Sequence, residues 1–114
     1  MTLREARCLF TKAVCELILY MNSQPGYAAA MSEGMDRVTV KDPTTDHMKG
    51  SLHEIGLALD IDLYKDGVYL TNTSDHERFG VWWETKGNAE GLPLAWGGRF
   101  KDGNHYSLSY QGKK

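Results

Sequence analysis

Residues 56–64, Gly-Leu-Ala-Leu-Asp-Ile-Asp-Leu-Tyr, constrain the chain more than any other stretch. Leu57, Leu59, Ile61 and Leu63 alternate with Gly56, Ala58, Asp60 and Asp62. Successive side chains of an extended strand point to opposite faces, so the four aliphatics share one face and both aspartates the other. A strand of this kind has a core on one side and polar chemistry on the other. Gly56 and Ala58 are small and leave room beside Asp60. Lys65-Asp66-Gly67 is a turn, and Val68-Tyr69-Leu70 pairs back as a hairpin.

The aliphatic face needs a cover, and the N-terminus supplies one. Thr2-Leu3-Arg4-Glu5 matches a capping box, with Thr2 as N-cap and Glu5 three residues on. Leu3, Ala6, Phe10, Ala13, Val14, Leu17 and Met21 then recur at helical spacing, and the helix stops before Pro25-Gly26. Residues 27–32 read as a short strand. Val38-Thr39-Val40 is a second strand or part of a loop, and residues 42–46 are a turn, in a region expected to border a cleft. Ser74-Asp75-His76-Glu77 repeats the capping-box pattern and opens a helix through Phe79, Trp82, Trp83 and Lys86, closed by Gly87. Leu94-Ala95-Trp96 and residues 105–110 are two further strands, joined by the Gly-rich loop 97–104. Helix, irregular section, hairpin, helix and strands in that order predict an α+β fold: a small antiparallel sheet with helices packed on one face. The chain has 114 residues and reads as a single domain, 1–114.

Charge and composition remove several classes of function. Thirteen Lys and Arg against fifteen Asp and Glu give a net charge of −2, which offers no electrostatic footprint for nucleic acid or an anionic membrane. No apolar run approaches the roughly 20 residues needed to span a bilayer. The N-terminus lacks the pattern of a signal peptide, since Arg4, Glu5, Arg7, Lys12 and Glu16 interrupt its apolar region. Synthesis in the cytoplasm is expected. Cys8 and Cys15 lie seven residues apart on the first helix, so their Cα atoms are about 10 Å apart. A disulfide needs less than about 7 Å, so both read as free thiols, filling the core as small hydrophobes.

Polar chemistry concentrates late in the chain. Ser51-x-His53-x-x-Gly56-x-Ala58-x-Asp60 carries a His and an Asp seven apart, leading into the strand. Asp102-x-x-His105 sets another carboxylate three residues before a His that opens a strand, just after Trp96-Gly97-Gly98. Imidazole nitrogen and carboxylate oxygen are standard zinc ligands, and three of them leave one tetrahedral position open. Zinc brings the pKa of water toward about 7, and a separate carboxylate takes and returns the proton. Asp60 suits the ligand role and Asp102 the acid/base role. Asp62 shares the strand face of Asp60 and is a rival ligand. Glu54 cannot complete a two-histidine helical zinc motif, since position 57 is Leu. His47 and His76 read as structural or exposed. Of the aromatics, Trp82-Trp83 read as core packing for at least one ring, and Trp96 as lining a cleft.

Taken together, these strings resemble the zinc peptidases of the D-Ala-D-Ala carboxypeptidase and L-alanyl-D-glutamate endopeptidase superfamily, which includes small phage endolysins. The resemblance covers about residues 50–110. It implies a carboxypeptidase-like α+β fold and one Zn²⁺ held by His53, Asp60 and His105. It implies Asp102 as the catalytic acid/base, Ser51 holding substrate or the ligand loop, and an upstream Arg that binds substrate. Arg37 is the candidate for that Arg, although Glu33-Gly34-Met35-Asp36-Arg37 is one residue longer than the Glu-x-x-Arg common in endolysin-like members. The implied partner is the stem peptide of bacterial peptidoglycan, with no nucleic acid and no membrane insertion. The implied activity is a monomeric endopeptidase released onto the wall by a phage lysis system. The alternatives are a D-Ala-D-Ala carboxypeptidase of the same superfamily and a non-catalytic peptidoglycan-binding module. A facial-triad Fe(II) oxygenase also uses two His and a carboxylate, but on a fold with more strands.

Overall fold

The structure, a computed structural model, describes residues 1–33 and 51–114. Arg37, His47, the 38–40 strand and the 42–46 turn lie outside the described residues. The chain order is helix α1 (Leu3–Ser23), strand β1 (Tyr27–Glu33), strands β2 (Ala58–Lys65) and β3 (Val68–Leu70), helix α2 (Glu77–Glu90), and strands β4 (Leu94–Trp96) and β5 (His105–Leu108). Short 3₁₀ turns at Thr73–His76 and Gly97–Phe100 precede α2 and β5.

The opening capping box forms as the sequence dictates. Glu5 N–H donates to Thr2 Oγ1 at 3.1 Å, and Thr2 N–H donates back to the Glu5 carboxylate at 3.2 Å. The stripe of α1 is buried from Ala6 to Met21, with Leu3 at its half-buried edge. Cys8 and Cys15 fall off that stripe. They are free, as expected, but exposed, which corrects their reading as core residues. The start of α2 also differs from expectation. The Asp75 carboxylate accepts from Asn72 N–H at 3.0 Å, so the capping contact forms two residues earlier and shapes the 3₁₀ turn. Gly87 does not end α2. It sits inside the helix, and the position takes glycine because an added Cβ would lie 2.7 Å from the Leu92 carbonyl oxygen. The helix closes at Gly91, whose φ of 68° favours glycine.

The sheet is antiparallel, in the order β1-β2-β5-β4, and β3 also pairs with β2. Registration decides the two faces of its centre. Leu59 pairs with Tyr106 and Asp60 with His105. Tyr106 faces the helices: its ring meets Trp83 of α2 edge-on at 6.0 Å, and Trp83 meets Phe10 of α1 at 6.1 Å. The Trp83 indole N–H donates to the carbonyls of Ala95 and Ser107, both at 3.1 Å, which ties α2 to β4 and β5. Leu59, Ile61 and Leu63 join this core. Each such side chain contributes about 1.5–3 kcal/mol by leaving water. Asp60 and His105 therefore project from the other face. Among the described residues, no helix is long and apolar enough to cross a membrane.

Candidate metal centre

Three segments of chain bring His53, Asp60 and His105 together. His53 sits in a tight turn. Ser51 Oγ accepts from His53 N–H at 3.2 Å, and Leu57 N–H closes the turn on the Leu52 carbonyl at 2.9 Å. Leu52 anchors it in the core. Gly56 takes a φ of 79°, a conformation that a side chain disfavours, which accounts for glycine three residues after the His. Asp60 and His105 are directly opposed across the β2–β5 ladder.

His53 Nε2 lies 3.2 Å from His105 Nδ1, and the two nitrogens lie 3.4 and 3.5 Å from Asp60 Oδ1. A tetrahedral ion with bonds of 2.0–2.2 Å separates its ligand atoms by about 3.3–3.6 Å, whereas right-angled octahedral neighbours stand about 2.8–3.1 Å apart. Two edges of the observed triangle, 3.4 and 3.5 Å, fall in the tetrahedral range, and the third, 3.2 Å, lies between the two ranges. Both imidazoles are nearly inaccessible, at 4% and 6% exposure. His105 Nε2 is buried without a hydrogen-bond partner among the described residues, and Asp60 Oδ1 is buried with long contacts of 3.4 and 3.5 Å to the two imidazoles. Burial alone would push the Asp60 carboxyl up, but His105 and His53 outweigh it and hold it well below the usual carboxylate range. Two neutral-capable nitrogens and one ionised oxygen form a donor set suited to a divalent cation. This buried His-Asp-His group could bind a metal.

The neighbouring carboxylate is held by loop 97–104. Asp102 Oδ2 lies 3.9 Å from His105 Nδ1, and its side chain is half-exposed. Asp102 N–H donates to the Gly97 carbonyl at 2.9 Å, and His105 N–H donates to the Asp102 carbonyl at 3.1 Å. The Trp96 indole N–H donates to the Gly103 carbonyl at 2.7 Å. Trp96 is buried at 3% exposure, a correction to its reading as a cleft wall. It acts as a strut under the loop. Gly98 presses on its ring from one neighbour and Gly80 of α2 from another, where added Cβ atoms would stand 2.2 and 2.1 Å from ring carbons. At Gly97 a Cβ would stand 2.2 Å from the Asp102 carbonyl oxygen and 2.6 Å from His105 Cβ. The Trp-Gly-Gly string is thus a packing requirement of the loop that carries Asp102.

The remaining candidates fall into place around this group. Asp62 lies outside the triangle and accepts from the Tyr69 hydroxyl at 3.3 Å. His76 is buried, with Nδ1 2.9 Å from the Tyr106 hydroxyl. Burial holds its imidazole below its ordinary value, against the opposing pull of Asp75 and Asp62. Trp83 is fully buried, and Trp82 stacks on Tyr20 at 4.8 Å. Sequence reasoning missed the notch beside Asp102, lined by residues 69–73, His76 and residues 101–104.

No protein-family model and no curated protein matches the chain. Among solved structures, the chain is similar to the L-Ala D-Glu endopeptidase ChiX of Serratia marcescens. The TM-score is 0.65 over 90% of this chain and 79% of that one, at 20% identity. The α+β architecture with its small antiparallel sheet is therefore the fold of that endopeptidase.

Proposed function

We propose that the chain is a single-domain zinc peptidase that hydrolyses an amide bond in the peptidoglycan stem peptide, of the L-alanyl-D-glutamate endopeptidase type. The observation that carries this reading is the triangle of His53, Asp60 and His105, whose ligand atoms lie 3.2 to 3.5 Å apart, with Asp102 beside it. The fold shared with ChiX supports it.

His53 Nε2, Asp60 Oδ1 and His105 Nδ1 would hold the ion. A zinc ion bound by three protein ligands polarises a carbonyl and makes hydroxide accessible near neutral pH. Asp102 accepts the proton of the attacking water and returns it to the leaving nitrogen, so that one carboxylate serves both half-reactions. Its half-exposed position suits that exchange better than a buried one. Ser51 fixes the His53 backbone, so its part in this reading is to hold the ligand turn. Arg37 is proposed for substrate orientation on its sequence position alone.

The test uses defined muropeptides and mass spectrometry of the fragments. Cleavage of the L-Ala–D-Glu bond, abolished by a chelator and restored by zinc, is the expected result. Release of terminal D-Ala instead would make the chain a carboxypeptidase. Wall binding with no fragment from any muropeptide would leave a binding module. Asp102→Ala should lower kcat by about 10²- to 10⁴-fold while zinc content stays at that of the wild type.

A further inference from the structure

β1 occupies one edge of β2, so β3 and β5 must share the other. β3 pairs with residues Leu63 to Lys65, and β5 with Ala58 to Asp60. Between the end of β3 and the start of β5, Ile61 N–H donates to the Asn104 carbonyl at 2.9 Å, but neither β3 nor β5 pairs with Ile61 or Asp62, and a notch lined by Ile61 opens there. Its volume is about 190 Å³. That is less than the roughly 300–1,000 Å³ of a pocket that encloses a whole small ligand, and it suits one residue of a longer chain. The walls are polar: Thr71 and Asn72 on one side, Lys101, Asp102 and Asn104 on the other, with His76 among its lining residues.

Two facts give the notch a direction. Asp102 lines it and also stands 3.9 Å from His105 Nδ1, so the notch and the triangle meet at this one residue. Lys101 is an exposed cationic residue that also lines the notch. Its φ of 63° is left-handed, which a lysine adopts only when the loop imposes it. The loop is so imposed: Lys101 N–H is drawn to the Gly98 carbonyl, and Gly103 N–H donates to Thr73 Oγ1 at 3.2 Å.

We propose that this notch receives the residue on the leaving side of the scissile bond, and that Lys101 is the counter-ion for a free carboxylate next to the leaving nitrogen. The inference rests on the peptidase reading above. A group that returns a proton to the leaving nitrogen must lie beside the residue bearing that nitrogen. Substituents of that residue then enter the space next to Asp102. In a stem peptide linked through the side chain of D-glutamate, the substituent adjacent to the nitrogen is a free α-carboxylate. In an amidated stem it is a neutral carboxamide, which an ammonium group binds less well.

The test compares two synthetic stem peptides that differ only in this group, free acid and primary amide, with zinc-loaded wild type, Lys101→Asn and Lys101→Arg. Asparagine tolerates left-handed backbone, so Lys101→Asn removes the charge with the loop conformation retained. Wild type should prefer the free acid by about tenfold or more in kcat/KM. Lys101→Asn should lose that preference through KM, with zinc content equal to wild type, and Lys101→Arg should keep it. Equal wild-type cleavage of both peptides overturns the inference, as does a preference that survives in Lys101→Asn. Cleavage of neither peptide by the wild type would instead defeat the peptidase reading, and this inference with it.

Discussion

On the helix side of β2, Leu59, Ile61 and Leu63 lie in a core with Leu17, Phe79 and Trp83, and the polar atom of that group, the Trp83 indole N–H, reaches two carbonyls. On the opposite side of the same strand, Asp60 meets two imidazoles across 3.4 and 3.5 Å, at the long end for hydrogen bonds. The first face is complete without help. The second has taken a carboxylate and two rings out of water for weak mutual contacts, which is a poor way to stabilise a fold. The difference teaches that one face of β2 holds the protein together and the other carries a group that could bind a metal.

Perturbing each face should give a different signature. The largest effect is expected in the core. Trp83→Ala should lower the unfolding free energy by about 3–5 kcal/mol in urea denaturation, by the same amount with and without zinc. A loss that depended on zinc would mean that the two faces are not separate. On the polar face, zinc held at a hundred times its dissociation constant should stabilise the wild type by about 2.7 kcal/mol, removable by chelator. In His53→Ala zinc affinity should fall by more than about a hundredfold and that gain should vanish, as calorimetric titration and thermal melts would read. Equal zinc binding by the variant would remove His53 from the site.

The smallest effect is one of pH. His76 is held below its ordinary pKa by burial, so the folded state favours the neutral ring. As pH falls from above the unfolded value of about 6.5, the unfolded chain takes up the proton first, and stability declines. His76→Gln should flatten the part of the pH–stability curve that lies below about pH 6.5. A curve of unchanged slope would show that His76 does not contribute to it.

The legible parts of this molecule were those where one local period or cap decides the outcome. The α1 stripe and its Thr2/Glu5 box, the alternation of β2 and the turn at residues 65–67 all stand as the sequence reads. His53, Asp60 and His105 were legible because their motifs pair ligand-type residues with the glycine that the turn needs. The rest depends on neighbours distant in sequence. Gly87 looked like a helix stop, yet its role is set by the Leu92 carbonyl. Trp96 looked like a cleft wall until Gly80 and Gly98 enclosed it. The exposure of Cys8 and Cys15 follows from which side of α1 meets the sheet, and residue type alone does not carry that. The notch at Lys101 arises because two strands share one edge of β2, a property of topology that no single segment records.

The account stands on three side chains sharing one ion. X-ray absorption at the zinc edge, on protein loaded with one equivalent, tests this directly. Two imidazole nitrogens and one carboxylate oxygen at about 2.0–2.2 Å are predicted, with the imidazole signal halved in His53→Ala. Zinc that binds below one equivalent, or binds without an imidazole signal, would contradict it.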